Sequence, residues 1–121
     1  MVLKRVLDTN AILYFLGGQL AAPLPSGRYF ISVISEMELL SYPLLDDTSQ
    51  SKIEGFLAGI TIIGLSELVK KSAIRLRRDH QLKLPDAIVA GTALSLNAEL
   101  VTNDSKLLRI PGLPSQELKL K

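Results

Sequence analysis

The chain has 121 residues, of which 47% are hydrophobic and 5% aromatic, with a formal net charge of +2 and a pI near 9.0. This suits one domain with an aliphatic core and excludes a disordered chain, while the mildly basic charge permits a nucleic-acid partner. The lack of cysteine excludes disulfides and thiolate metal sites, and His80 is the sole histidine, so a metal here needs oxygen donors, as Mg2+ or Mn2+ does and zinc does not.

The first apolar run, residues 2–7, reads as a strand that ends in Asp8, Thr9 and Asn10. A helix over residues 11–16 follows and stops at Gly17-Gly18, far short of the ~20 residues of a membrane span. Lys4 and Arg5 precede that polar turn rather than a long apolar stretch, so no signal peptide is expected and the protein reads as cytoplasmic. A second strand over 29–33 leads into helices over 35–45 and 49–57. A third strand, 60–63, runs into Gly64, Leu65 and Ser66 and then a helix. There Leu65, Leu68, Val69, Ser72, Ala73 and Leu76 step by three and four along one face. Lys71, Arg75 and Arg78 form a stripe opposite, either solvated surface or a contact for nucleic-acid phosphates. A helix over 86–96 precedes the fourth strand, 99–101, which ends in Thr102, Asn103 and Asp104. A helical turn over 105–108 and a short edge strand over 117–120 complete the chain.

Strands alternating with helices imply a three-layer α/β/α domain over residues 1–121, with a mostly parallel sheet of four or five strands. Ligands of open α/β sheets bind beyond the carboxyl ends of the strands, where strand order reverses. The turns holding Asp8 and Asp104 stand at such ends. Both have a structural reading as well, since Asp, Thr and Asn are favoured helix caps and turn residues. Asp86 follows Pro85 in a first helical turn, where a carboxylate suits the helix dipole. Yet it shares a face with Val89, Ala90 and Ala93, and an acid aimed at an apolar wall needs a cation or donors to meet it. Glu36 and Glu38 are not separable by periodicity, because their helix is apolar nearly all round.

Four segments carry a resemblance: Leu7-Asp8-Thr9-Asn10; Ile31 to Leu40 with Ser35-Glu36-Met37-Glu38-Leu39 at its centre; Leu84-Pro85-Asp86-Ala87-Ile88-Val89-Ala90; and Leu100-Val101-Thr102-Asn103-Asp104. In order and context they resemble the four motifs of the PIN-domain family, and most closely the VapC-type toxin ribonucleases of toxin–antitoxin modules. The likeness runs from Val2 to about Leu113, with Asn103 where arginine or another polar residue is common. In that family the second acid directly precedes leucine, which selects Glu38. The resemblance implies an endoribonuclease that uses Mg2+ or Mn2+ on Asp8, Glu38, Asp86 and Asp104, with Thr9, Asn10 and Thr102 holding carboxylates and water. It also implies products with 5′-phosphate and 3′-hydroxyl ends, a homodimer, and an antitoxin protein that covers the acidic crevice.

A signalling receiver domain would need paired acids after its first strand and an aspartate after its third; Asp8 stands alone, and Gly64-Leu65-Ser66 carries none. An RNA-processing or DNA-directed PIN nuclease, or a silent PIN-like interaction module, remains the alternative. The intact acids favour an enzyme and the compact chain favours the toxin type. Transfer RNA and ribosomal RNA both fit the likeness as substrates. His80 is expected to be an exposed loop residue rather than a general base.

Overall fold

Neighbouring residues of a strand point to opposite faces of a sheet, and here both faces are apolar. Val6 and Leu7, Phe30 and Ile31, and Leu100 and Val101 are all buried, which requires helices on both sides. The computed structural model describes residues 2–43 and 45–121 and has that arrangement. Its strands are β1 (Lys4–Leu7), β2 (Arg28–Ser32), β3 (Thr61–Ile63), β4 (Glu99–Val101) and β5 (Ser115–Gln116). All pair in parallel, in the order β3-β2-β1-β4-β5. The helices are α1 (Thr9–Leu16), α2 (Val33–Leu40), α3 (Asp47–Gly59), α4 (Glu67–His80), α5 (Leu84–Ser95) and α6 (Ser105–Leu108).

One core joins Val6, Phe30 and Leu100 to α4, α5 and Leu107 of α6. The other joins Leu7, Ile31 and Val101 to Ala11 and Ile12 of α1, Leu39 of α2 and Ile53 of α3. The chain builds outward from β1 through β2 to β3, then returns to the other side of β1 for β4 and β5. Strand order therefore reverses between β1 and β4, where such sheets bind their ligands.

Three elements differ from the sequence expectation. The fifth strand is Ser115–Gln116 rather than residues 117–120, and Leu120 instead makes an isolated antiparallel bridge to Leu20. The helix expected over 35–45 is α2, which begins two residues earlier on the Ser32 cap and ends at Leu40. Tyr42 precedes Pro43, and a residue before proline is steered out of helical geometry; Leu44, in the expected span, lies outside the described residues. On α4 the buried face is Val69, Ala73 and Leu76, whereas Leu68 and, just before the helix, Leu65 are exposed.

That narrow face exists because α4 and α5 approach closely. A Cβ added at Gly91 of α5 would stand 2.9 Å from the backbone nitrogen of Ala73 and 3.2 Å from the carbonyl oxygen of Val69. Neither backbone atom can move alone. Gly91→Ala should therefore destabilise the protein by about 1 kcal/mol in a chemical denaturation curve, although alanine is favoured over glycine in a free helix by about as much. A gain in stability would mean the helices separate freely.

Candidate active site

Asp8 follows β1 and caps α1: its Oδ1 accepts from the Ala11 amide at 2.8 Å. Its Oδ2 accepts a short hydrogen bond from the Thr102 hydroxyl, which belongs to the turn after β4. The amide of Asp104 in turn donates to that hydroxyl oxygen at 3.0 Å, so Thr102 joins the two acids. Asp104 caps α6 through its Oδ1, which accepts from the Lys106 amide at 2.9 Å. The capping role read from sequence is therefore present at both positions. Capping does not exhaust them, because each carboxylate oxygen has more than one lone-pair direction.

Asp86 lies in the first turn of α5, after Pro85, on the helix whose residues Ala87 to Ala93 are buried. Glu38 projects from α2, and its Oε1 accepts from the Thr9 hydroxyl at 2.6 Å. All four acids line one crevice of about 130 Å³ with Thr9, Asn10 and Tyr42, and Val89 and Leu107 form its apolar wall. Glu36 is not part of that lining. Thr9 and Asn10 thus stand in the crevice, and Thr102 is buried just beneath it. Larger cavities elsewhere, such as the one bordered by Ile74, Arg77, Arg78, Leu82 and Leu84, lack this collection of acids.

Electrostatics mark the same place. Burial pushes the Asp8 carboxyl above the ordinary carboxylate range, against the pull of the Thr102 and Ala11 hydrogen bonds, and Asp104 and Asp86 push it further. Burial likewise raises Asp86, with Asp104 and Glu38 adding to it and Lys83 and Lys106 opposing. Acids that repel one another into partial protonation are relieved by a cation. Among the described residues no three acidic or imidazole groups form a ready cage of direct ligands. That fits Mg2+ or Mn2+ still, since magnesium is held through one or two carboxylates and keeps several waters. The all-oxygen donor set suits those ions and no thiophilic one.

Sequence reasoning missed four neighbours. Ser35 is fully buried, with its hydroxyl 3.0 Å from that of Thr9; its position one helical turn before Glu38 was a readable signal. Tyr42 reaches the crevice from beyond the end of α2. Lys83 and Lys106 stand close to the acids in sequence and act on Asp86. The stripe Lys71, Arg75 and Arg78 is exposed on the outer side of α4, and Arg78 borders the cavity around Ile74 and Leu84. His80 is exposed but ends α4 rather than lying in a loop.

The comparisons with known proteins agree with this geometry. A family model described as PIN domain matches residues 5–113. No curated protein matches the sequence. Among solved structures, the chain is similar to VapBC2 from Rickettsia felis bound to a DNA fragment from their promoter, at 25% identity and a TM-score of 0.78, covering 95% of this chain and 98% of that one. DNA-bound VapBC from Salmonella typhimurium is similar at 24% identity and a TM-score of 0.79, with the same coverage of 95% and 98%. A toxin–antitoxin complex from Klebsiella pneumoniae is similar at 29% identity and a TM-score of 0.70, over 90% and 94%.

The raised Asp86 fixes the sign of a pH effect. A carboxyl whose folded pKa lies above its unfolded value binds more protons folded than unfolded, so stability falls as pH rises from the unfolded to the folded value. Asp86→Asn should raise the melting midpoint by a few degrees at pH 7 in EDTA. The gain should shrink as pH falls and be lost below the unfolded carboxyl value of about 3.9. A lower midpoint at pH 7 would mean that Asp86 is stabilised as an anion by its helix.

Proposed function

The chain belongs to the PIN-domain family, and we propose that it is a Mg2+- or Mn2+-dependent endoribonuclease, built as one nuclease domain over residues 1–121 and acting as the toxin of a toxin–antitoxin module. The observation that carries this reading is the meeting of Asp8, Glu38, Asp86 and Asp104 in one small polar crevice beyond the carboxyl ends of β1 and β4. Asp8, Asp86 and Asp104 would hold the ion directly or through water, with Glu38 at a second position. When bound, a divalent ion supplies charge relief on the phosphate oxygens and makes water more acidic.

The chain's own residues supply the rest. Glu38, steadied by Thr9, orients the attacking water and takes its proton. Thr102 fixes the Asp8 carboxylate, and its hydroxyl oxygen receives the Asp104 amide, so two of the acids keep a fixed separation. Asn10 is free to hold water at the rim. The water oxygen bonds to phosphorus as the P–O3′ bond breaks, and the departing 3′ oxygen takes up a proton from solvent, leaving a 5′-phosphate and a 3′-hydroxyl. Lys71, Arg75 and Arg78 lie exposed where an RNA backbone can reach them.

The likeness to a toxin–antitoxin complex from Klebsiella pneumoniae supports an antitoxin partner, whose arginine would pair with the crevice carboxylates. No described helix is long and apolar enough to cross a membrane; a toxin that cuts RNA would act in the cytoplasm. Exposed Met37, Leu40, Leu68, Ile74 and Leu84 support burial of apolar surface in a homodimer.

Cleavage of a single-stranded RNA should vanish in EDTA and return with Mg2+ or Mn2+ but not with Ca2+, whose looser coordination suits the chemistry poorly. Glu38→Gln should lower the rate by about 10²–10⁴-fold with little change in melting, while Glu36→Gln should stay within a fewfold of wild type. Full activity in EDTA would overturn the reading. The reverse ranking of the two glutamates would move the second acid.

A further inference from the structure

A crevice with four acids repels the phosphates it is meant to receive, so the substrate must be held by cations that the acids do not neutralise. Lys83 and Lys106 meet that requirement. Lys83 immediately precedes α5, three residues before Asp86. Lys106 lies in α6, two residues after Asp104, to whose carboxylate its backbone amide donates. Both side chains are exposed. Both are close enough for their charge to be felt at the Asp86 carboxyl. Yet among the described residues the ion pairs within 4.0 Å are Arg5 with Glu99 and Lys70 with Glu67, and neither of these lysines has one.

The two positions differ from the buried Arg5 and from the basic stripe of α4. Arg5 is buried and occupied by Glu99, Gln116 and the carbonyl of Ser26. Lys71, Arg75 and Arg78 belong to the outer side of α4 and line no part of the crevice. An ammonium on a flexible stem, held beside an acidic cleft without touching it, can turn outward to a phosphate and remain charged. We propose that Lys83 and Lys106 grip the backbone phosphates of single-stranded RNA next to the scissile linkage, and so seat that linkage over the four acids. This rests on the ribonuclease reading and extends it to the residues that position the substrate.

The test measures binding apart from cleavage. A fluorescently labelled single-stranded RNA is titrated with the full chain carrying Glu38→Gln, in Mg2+, across a range of salt concentrations. Adding Lys83→Ala and Lys106→Ala should make the plot of log affinity against log salt shallower by about 1.4 units, two phosphate contacts at about 0.7 each. Relative to 1 M salt, that is a loss of roughly 25-fold at 0.1 M. Lys83→Arg with Lys106→Arg should restore most of the slope, which a merely disturbed fold would not. Mn2+ binding by the double alanine variant should hold or tighten, because two repelling charges have left the site.

An unchanged slope in the double alanine variant, with the wild-type chain still cutting RNA, overturns the grip and leaves the nuclease reading standing. A wild-type chain that neither binds nor cuts RNA overturns that reading and the grip with it.

Discussion

The pairing of β1 with β4 is the constraint on which the rest depends. Arg5 stands opposite Glu99, Val6 opposite Leu100 and Leu7 opposite Val101. At one end the buried Arg5 guanidinium bonds Glu99 and Gln116, tying β1 to β4 and β5. At the other, the Asp8 amide donates to the Val101 carbonyl at 3.1 Å and its carboxylate accepts from Thr102. Side chains thus lock the register at both ends. A slip of one residue would exchange Val6 and Leu7 between the two cores and carry Asp8 away from Thr102. Removing Glu99 alone would leave the buried guanidinium without its charge partner, held only by Gln116 and the Ser26 carbonyl, at a cost below the roughly 3–5 kcal/mol of a fully broken buried pair. The same ladder that stabilises the sheet therefore sets the spacing of two acids.

What the register brings together is electrostatically uncomfortable. Asp8 and Asp86 are both pushed toward protonation by burial and then by their acidic neighbours. The fold tolerates this by giving the acids donors: Thr102 and the Ala11 amide for Asp8, Thr9 for Glu38, the Lys106 amide for Asp104. Each of these acids is thus held in place by the fold itself, which in the proposed nuclease lowers the reorganisation needed for reaction. Ser35 extends the arrangement inward through Thr9, so the orientation of Glu38 is anchored in the core under α2. Repulsion among acids and steering by hydrogen bonds are two sides of one arrangement.

Much of this was legible in the sequence, for identifiable reasons. β1, β2 and β4 announce themselves because both their faces are buried, leaving continuous aliphatic runs, and half-buried β3 carries the same aliphatic signal. Asp8 and Asp104 could be placed because they terminate two of those runs. β5 could not, because residues 117–120 carry the apolar alternation while Ser115–Gln116 carries the ladder. The ladder is short: the Leu100 amide takes the Pro114 carbonyl and the Thr102 amide takes the Gln116 carbonyl. Beyond it the Asn103 side chain bonds both backbone groups of Leu118, at 2.8 and 3.0 Å, and Leu118 drops into the core outside any strand. Periodicity sees burial and not the partner of a backbone group. The face of α4 was drawn too wide for a similar reason, since the close approach at Gly91 leaves room for Val69 and Ala73 and none for Leu68. Glu36 and Glu38 needed either the family likeness or the three-dimensional position of Thr9.

The central claim is that water, organised by these carboxylates, breaks the phosphodiester. RNA offers a competing route, attack by its own 2′-hydroxyl, which needs no such acids and leaves a different end. Mass spectrometry of the fragments from a defined RNA cut in Mg2+ tells the two apart. Fragments bearing a 5′-phosphate and a 3′-hydroxyl are the predicted result. Fragments bearing a 2′,3′-cyclic phosphate and a 5′-hydroxyl would contradict the account.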